Sequence, residues 1–236
     1  MKRVEHGMNR RLSVIIPVFN ESGIINATLD HLCGLDFSGD LEIIVVDGNQ
    51  VGNTIKVITR SGIKKIIGEK GRGAQMNAGA AAAGGNVLLF LHADTHLGHD
   101  ALDQIFKVFD RNDVAGGAFD LGIRSGKKIF RLIAKTASLR SRLTKIPYGD
   151  QAIFLKKQLF DRIGGFKNIP IMEDVELLRR IKKEGLKIKF VPRKVWTASR
   201  RWEKEGIVYC TLRNWTLITL YLLGVSPEKL KKFYAS

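Results

Sequence analysis

The sequence predicts an α/β fold with a mostly parallel central sheet, helices on its flanks and a C-terminal helical extension. In the first 120 residues, short apolar and β-branched runs alternate with helical stretches, as expected for buried parallel strands. Beyond residue 206 the pattern favours two helices, and Ser226-Pro227-Glu228 is a typical start for the second. The predicted parallel strands are Leu12–Val18, Leu41–Val46, Ile63–Ile67 and Asn86–Leu91.

Helices are predicted between these strands at Ser22–Leu35, Thr54–Ser61, Gly73–Ala83 and His99–Phe109. The alternation ends near residue 113. The remaining predicted strands are Val114–Ile123, Ala152–Leu155 and Lys187–Val191, and the remaining helices before the extension are Lys127–Lys145, Lys157–Ile163 and Asp174–Glu184. We interpret the chain as a single domain with three parts, residues 12–120, 121–205 and 206–236.

Composition indicates a globular protein with a substantial core, since 44% of the residues are hydrophobic and 26% are charged. Neither Cys33 nor Cys210 belongs to a Cys-x-x-Cys pair, so no disulfide framework or thiolate metal site is predicted. The sequence contains no recognisable targeting segment. The apolar run Trp215–Val225 is roughly half of the ~20 residues that a spanning helix needs. We therefore expect a cytoplasmic protein.

Positive charge is concentrated in the second half of the chain. Residues 1–120 contain 12 basic and 14 acidic residues, a balance of −2, whereas residues 121–236 contain 27 and 9, a balance of +18. This asymmetry predicts an anionic partner, which could be nucleic acid, membrane phospholipid or a phosphorylated substrate. The simpler alternative is a basic surface that only keeps the protein in solution.

The membrane version of this hypothesis places the protein peripherally at the inner face of a membrane. Lys127–Lys145 combines basic residues with an apolar stripe, and Trp215–Val225 lies close to Lys229, Lys231 and Lys232. The alternative is that the apolar residues of both segments are buried in the domain. Those residues are Ile129, Leu132, Leu139 and Trp215.

Polar residues follow each of the four parallel strands. Because ligands bind at the carboxyl ends of strands in such sheets, these four segments together predict a site at one sheet edge. Each segment alone could be a helix cap or a plain turn. The segments are Asn20-Glu21, Asp47-Gly48-Asn49, Glu69–Gly73 and His92-Ala93-Asp94.

Two of these segments have the chemistry of an anion or metal site. Asp94, with His92 two residues before it, could hold a hard divalent cation that neutralises a diphosphate, although Asp94 could equally cap a helix. Gly71-Arg72-Gly73 precedes a helix and could bind an anion through backbone N–H groups and a guanidinium. The alternative for this segment is a glycine-rich turn without a ligand.

Two clusters in the second half could complete such a site. Glu173 and Asp174 begin a helix, where either could act as a general base or simply interact with the helix dipole. Arg201 could clamp a phosphate and Trp202 could stack on a sugar face. The alternative for this second cluster is a solvated basic turn with a packed tryptophan.

In order and spacing, these segments resemble the successive signatures of family 2 glycosyltransferases. The later matches, Met172-Glu173-Asp174 and Arg200-Arg201-Trp202, are shorter and resemble the acceptor-side acidic motif and the end of the Gln-x-x-Arg-Trp motif. The longer matches are Ser13–Glu21, Glu42–Gly48, Gly71–Gly79 and His92-Ala93-Asp94.

The resemblance implies a GT-A-like nucleotide-diphospho-sugar-binding fold and an inverting, metal-dependent transfer from a nucleotide-diphosphate sugar. The acceptor would be a hydroxyl or phosphate, on a lipid-linked or otherwise anionic molecule that the sequence leaves unknown. Residues 12–120 would form the nucleotide-sugar half and residues 121–205 the acceptor side. Three positions depart from the family pattern, namely His92 in place of an acid, Asn49-Gln50 in place of Gly-Ser, and Ala198 in place of glutamine.

By position, the resemblance implies a role for several residues. Glu21 and Asp47 would contact the nucleoside, and Arg72 the nucleotide. Asp94, with His92, would hold Mn²⁺ or Mg²⁺, and Asp174 would be the catalytic base. The remaining predicted substrate-binding residues are Pro17, Asn20, Gln75, Asn77, Asp150, Glu173, Arg201 and Trp202.

Two other functions remain as alternatives. A nucleotidyltransferase would also bind a nucleotide and a metal, but its glycine-rich loop after the first strand is replaced here by Pro17–Glu21. A basic nucleic-acid-binding protein would account for the charge of the second half. It would leave the polar strand ends and Asp174 without a purpose, which makes nucleic acid the disfavoured partner.

Overall fold

The computed structural model describes residues 10–110 and 113–234, and its centre is one seven-stranded sheet. Along the sheet the strands follow the order β3-β2-β1-β4-β6-β5-β7. The strands are β1 (Arg11–Val18), β2 (Asp40–Asp47), β3 (Lys64–Ile67), β4 (Val87–Phe90), β5 (Val114–Arg124), β6 (Phe154–Lys156) and β7 (Lys187–Ala198).

The first four strands are parallel, and they form the half of the sheet that the sequence predicts best. β1 pairs with β2 on one side and β4 on the other, and β2 pairs with β3. Leu12, Val14 and Ile16 face one layer of the core while Ile15 faces the other, and all four are fully buried. A strand that is apolar on both faces is stable only between two helical layers.

The other three strands make the sheet mixed. The short strand β6 is antiparallel to both β4 and β5, whereas β5 and β7 are parallel. Four of the six strand pairings are therefore parallel, and the predicted α/β class with a mostly parallel sheet is confirmed. This topology brings the start of β6 and the end of β7 to the edge where β1 and β4 end.

Helices cover both faces of the sheet. On one face α1 and α3 pack against the alternate residues of β1, β2 and β4, and on the other α2, α5 and α6 do so. The helices are α1 (Ile25–Cys33), α2 (Arg72–Ala82), α3 (Ala101–Phe106), α4 (Lys128–Thr144), α5 (Lys157–Arg162), α6 (Glu173–Lys183), α7 (Arg200–Glu205), α8 (Ile207–Leu222) and α9 (Pro227–Tyr234).

One predicted helix is wrong. Residues 54–61 form only a single 3₁₀ turn at Ile55–Val57, and Ile58 is already extended. The segment contains several β-branched residues, which lower helix propensity. In addition, the buried carboxylate of Asp47 accepts hydrogen bonds from the N–H groups of Thr54 and Ile55, which holds the backbone in a tight turn.

The last strand is longer than the sequence predicts. β7 continues through Pro192 to Ala198 instead of ending at Val191. Its register against β5 shifts between the pairs Val191–Phe119 and Lys194–Asp120, so Pro192 and Arg193 lie in a bulge. Proline has no N–H to donate, but β7 is an edge strand, where a bulge with a missing donor is tolerated.

The C-terminal helices pack on the carboxyl edge of the sheet. α4 contacts Trp202 of α7 and Ile207 of α8 through Phe130, and α8 contacts α9 through Leu217 and Leu230. The two helices predicted for residues 206–236 correspond to α8 and α9. Within the two described ranges, no helix has the length and apolar character that crossing a bilayer requires.

The close packing of α2 on the sheet yields a first prediction. At Gly79 an added methyl group would overlap Ile15 Cγ2 and lie 3.2 Å from Val46 Cγ2. Gly79→Ala should therefore lower the free energy of unfolding by about 1–2 kcal/mol, despite alanine's higher helix propensity. Urea denaturation measures this. Gly23→Ala is the control, since its methyl would meet no atom within 4 Å, and an equal effect of both variants would contradict the packing argument.

Candidate active site

A pocket of about 660 Å³ lies at the carboxyl edge of the sheet. Its walls come from the loops after β1 and β4, the starts of α2 and α6, the loop before β6, and helices α7 to α9. Eight of the residues predicted from the sequence line it. These are Glu21, Arg72, His92, Asp94, Asp150, Asp174, Arg201 and Trp202.

On one side of the pocket, the guanidinium of Arg200 lies within ion-pair distance of two carboxylates. Arg200 Nη2 lies 3.4 Å from Asp94 Oδ2 and 3.7 Å from Glu21 Oε2. Burial raises the pKa of Glu21, Arg200 opposes this rise, and the charge of Asp94 adds to it. Sequence reasoning missed Arg200, because the family motif assigns the role to the neighbouring Arg201. The signal was present, since Arg200 belongs to the same basic cluster.

Asp174 is held at the start of α6 by two backbone donors. Its Oδ2 accepts a hydrogen bond from Gly149 N at 2.6 Å, and its Oδ1 accepts one from Val175 N at 2.7 Å. Met172, in the left-handed region with φ of 66°, turns the chain into the helix. Each carboxylate oxygen keeps a second lone pair. The arrangement fixes the direction of the carboxylate and still leaves it able to accept a proton.

His92 lines the same pocket and is close enough to Asp94 and Asp174 for their charges to act on it. A side chain at Gly149 would come within 3.1 Å of His92 Nε2, so the imidazole packs directly against the loop that holds Asp174. Burial and the charge of Arg72 lower the pKa of His92 to about 4, against the opposing effects of Asp94 and Asp174. The ring is therefore neutral near pH 7 and keeps a nitrogen lone pair that could ligate a metal.

Asp150 and Tyr148 give the pocket two buried polar atoms without protein partners. Within the described residues, Asp150 Oδ1 and the Tyr148 hydroxyl have no hydrogen-bond partner. Burial raises the pKa of Asp150 to about 6, opposed by Arg140 and assisted by Asp174. Buried polar groups in native proteins almost always have a partner. Both residues line the pocket, and Tyr148 is a second residue that sequence reasoning missed.

Arg72 is oriented from behind by Glu173. Its Nε lies 2.7 Å from Glu173 Oε1, and the Glu173 side chain is only 3% exposed, so Glu173 does not reach the pocket. A buried carboxylate that fixes a guanidinium leaves the other N–H groups of Arg72 free to point at an anion. Glu173, which was predicted to bind substrate, therefore lies behind Arg72 and does not line the pocket.

Asp47 is fully buried and lies outside the pocket. Its two oxygens accept hydrogen bonds from the N–H groups of Asn49, Thr54 and Ile55. These bonds fold the loop after β2. The expectation of a direct nucleoside contact needs an exposed oxygen, which this burial does not provide. Asp47 instead shapes the loop around the predicted nucleoside position.

Four further predicted residues lie near the pocket without lining it. Gln75 donates to Val18 O at 2.7 Å and Val46 O at 2.8 Å, which ties α2 to the ends of β1 and β2. Asn77 exchanges two hydrogen bonds with the backbone of Phe166. Asn20, with φ of 58°, accepts hydrogen bonds from the side chains of two asparagines, and Pro17 lies within β1 opposite Val46. The two asparagines are Asn49 and Asn53.

Arg201 and Trp202 line the far wall but are engaged with their own surroundings. Arg201 forms an ion pair with Glu205 at 3.3 Å, donates to the Tyr234 hydroxyl, and lies over the Tyr234 ring at 4.0 Å. Trp202 packs edge-on against Phe130 with ring centroids 6.0 Å apart. These contacts attach α7 to α4 and α9, and they leave Arg200 as the guanidinium closest to Asp94 in this cluster.

The fold and the pocket together define an α/β protein with a charged pocket at the strand ends. The model of glycosyl transferase family 2 matches residues 13–169, which is more than half of the chain. The chain therefore belongs to this family, and the predicted family and enzyme class are confirmed. The nucleotidyltransferase and nucleic-acid-binding alternatives are set aside.

Curated relatives carry compatible names. The chain is 34% identical over 123 residues to an uncharacterized glycosyltransferase of Nostoc sp., covering 49% of this chain and 38% of that protein. It is 27% identical to a probable glycosyltransferase of Bacillus subtilis, covering 83% and 51%. It is 22% identical to a β-monoglucosyldiacylglycerol synthase of Nostoc sp., covering 90% and 52%. The chain thus spans about half or less of each relative's length.

A solved structure with the same fold is a mannosyltransferase from Pyrobaculum calidifontis in complex with GDP-Man and Mn²⁺. The TM-score is 0.63 at 21% sequence identity, and the match covers 88% of this chain and 60% of that one. At this identity the likeness establishes the fold alone, and the predicted GT-A-like architecture is confirmed.

The raised pKa of Asp150 yields a second prediction. Because the folded-state pKa of about 6 exceeds the ordinary value of 3.8, this carboxyl stabilises the fold below about pH 4, and that contribution is lost as the pH rises through 6. Asp150→Asn should therefore raise the free energy of unfolding by about 2 kcal/mol at pH 8, with a gain that disappears towards pH 4. Urea titrations across this range measure it. Asp40→Asn, with an 80% exposed side chain, is the control, and a pH-independent gain would refute the assignment.

Proposed function

We propose that this chain transfers a sugar from a nucleotide-diphosphate sugar to an acceptor hydroxyl or phosphate, with inversion at the anomeric carbon. The observation that supports this most strongly is that two carboxylates with different partners, Asp94 and Asp174, line one pocket together with His92. Asp94 would help to stabilise the departing diphosphate, and Asp174 would accept a proton from the incoming acceptor. Two acidic groups with separate partners, a guanidinium for Asp94 and two backbone N–H groups for Asp174, can perform different tasks in one reaction.

The donor would lie along the edge formed by the ends of β1, β2 and β4. Arg72, oriented by Glu173, and Arg200, between Glu21 and Asp94, supply positive charge for the diphosphate. The nucleoside would rest on the loop that Asp47 folds, beside Asn20 and Pro17. Gln75 and Asn77 would act indirectly, because their amides hold the backbone that forms this edge.

The available side chains fit a divalent cation that shares its coordination with the substrate. Within residues 10–110 and 113–234, no three His, Cys, Asp or Glu side chains form a metal cluster. Mg²⁺ typically binds through one or two carboxylates plus substrate phosphates, and Mn²⁺ likewise prefers carboxylate, carbonyl and water oxygens. Asp94, which is partly exposed, and neutral His92 would hold the ion. When bound, the ion would neutralise charge on the leaving diphosphate.

Asp174 would accept the proton of the acceptor hydroxyl. As that proton transfers to the carboxylate, the acceptor oxygen bonds to the anomeric carbon and the bond from that carbon to the diphosphate oxygen breaks. A single displacement of this kind inverts the configuration. The N–H groups of Gly149 and Val175 keep the carboxylate aimed during the step. Trp202 and Tyr148 offer aromatic surface for the sugar or the acceptor.

The metal role of Asp94 yields a third prediction. Asp94→Asn should lower sugar transfer about 100-fold or more, because the ligand that holds the diphosphate-neutralising ion is lost. Nucleotide-mannose and nucleotide-glucose donors are the first to test, given the names of the similar proteins. A donor plus Mn²⁺ should raise the melting temperature of the unmodified chain, and the Mn²⁺-dependent part should vanish in the variant.

Asp40→Asn is the matched control for this experiment, since that exposed carboxylate lies at the start of β2 and outside the pocket. Full transfer by a folded Asp94→Asn protein would exclude the metal role. Failure of every nucleotide diphosphate and nucleotide sugar to shift the melting temperature of the unmodified chain would overturn the proposed function itself.

The role of Asp174 yields a fourth prediction. Asp174→Asn should lower turnover by about 10²–10⁴-fold while donor affinity, measured by calorimetry, stays unchanged. Asparagine can still accept the hydrogen bond from Gly149 N, so the loop should keep its shape. An equal loss of donor affinity would place Asp174 in the nucleotide site. A larger loss in Asp150→Asn, with activity in the unmodified chain rising through pH 6, would transfer the base role to Asp150.

A further inference from the structure

Helix α8 exposes a row of apolar side chains. Val208, Leu212, Trp215 and Leu222 are 70%, 56%, 54% and 51% exposed, and their spacing places them on one side of the helix. The opposite side, with Cys210 and Leu217, is buried. An exposed apolar row of this length is unusual on a protein surface that meets only water.

Helix α4 repeats the pattern. Ile129, Leu132, Leu139 and Leu143 are between 43% and 75% exposed, while Phe130 and the other inward residues pack on the core. The alternative in which Ile129, Leu132, Leu139 and Trp215 are all buried is therefore wrong. The two helices come together at the start of α8, where Ile207 belongs to the same apolar cluster as Trp202 and Phe130 of α4. We call the two exposed rows together the α4/α8 surface.

Positive charge borders this surface. Residues 127–145 contain seven basic residues and no acidic one. Lys128, Arg131 and Lys135 are exposed beside the apolar row of α4, and none of them pairs with an acid in the described part of the chain. On α9, which packs against α8, Lys229, Lys231 and Lys232 are exposed. The exposed acids on helices α4 and α7 to α9 are Glu203 and Glu228.

We propose that the α4/α8 surface docks on an anionic lipid bilayer. Apolar rows bordered by lysine and arginine are the chemistry with which interfacial helices bind such membranes. Nucleic acid would match the charge but not the exposed leucines and tryptophan. A second copy of the chain would cover the leucines, but it would bring together two halves that each have a balance of +18.

The candidate active site lies on the other side of α8. Asn214 and Leu217 of α8 line the pocket, so the docked protein would hold its pocket about one helix diameter, roughly 10 Å, from the lipid-facing row. The proposal does not depend on sugar transfer, because lipid binding can be measured without a donor or an acceptor. Lipid binding would be a property of the α4/α8 surface and not of the pocket.

Co-sedimentation with lipid vesicles tests the proposal. The intact chain should bind vesicles of phosphatidylcholine with about one third phosphatidylglycerol, should stay in the supernatant with pure phosphatidylcholine, and should lose binding in about 0.5 M salt. Replacing Lys128, Arg131 and Lys135 with Glu should lower the partition coefficient about 100-fold or more. Leu212→Ser with Trp215→Ser should lower it by about 10-fold or more.

Matched controls are available in the first half of the chain. Val51→Ser with Val57→Ser removes comparably exposed apolar side chains, and Lys56→Glu with Lys107→Glu reverses exposed charges. Both controls should bind the anionic vesicles like the unmodified chain. Thermal melting confirms that each variant is folded.

Three results would overturn the proposal. The first is equal recovery in the supernatant with neutral and anionic vesicles. The second is the same loss of binding in the control variants as in the α4/α8 variants. The third is a dimer of the lipid-free chain, seen by sedimentation velocity, that Leu212→Ser with Trp215→Ser converts to monomer, because a second copy would then be the occupant of this surface.

Discussion

The central constraint of this molecule is that β1, β2 and β4 are apolar on both faces. Such strands leave little room for polar side chains along their length, where Ser13 and Glu42 hydrogen-bond to each other, so most hydrogen-bonding and charged groups are found where the strands end. Parallel pairing brings these ends to one edge, and the antiparallel β6 adds its start there. Gln75 then ties α2 to the backbone carbonyls at two of the ends. The pocket is a direct consequence of how the core is buried.

The guanidinium groups around the pocket lie opposite carboxylates of the protein. Arg200 lies between Asp94 and Glu21, Arg72 faces Glu173, and the field of Arg140 opposes the raised pKa of Asp150. Asp174 depends instead on backbone N–H groups. In the proposed function, an entering diphosphate would meet guanidinium groups whose positions are already fixed by protein carboxylates. Binding then requires little reorganisation, which is the condition under which electrostatic stabilisation is most effective.

The sequence was sufficient to predict the parallel strands, the edge at which the site lies, and the residues that follow β1 and β4. It could not distinguish residues that face the pocket from residues that support it. Asp47, Gln75 and Glu173 have the same polar character as Asp94, and only their burial in the folded chain shows that they hold backbone or another side chain. Tyr148 and Arg200 were missed for the converse reason, since contacts across the fold bring them to the pocket.

The bulge at Pro192 and Arg193 also affects how this sheet meets other molecules. An edge strand presents unpaired N–H and C=O groups that can recruit a strand from another chain, and this is a common route to aggregation. β7 interrupts that row with a proline, and it exposes Lys187, Lys189 and Lys194. The opposite edge, β3, exposes Lys64 and Lys65. Near its end β7 is already paired, through the backbone hydrogen bonds between Trp196 and His96. The open parts of both edges present positive charge to a copy of themselves, which favours a chain that stays dispersed.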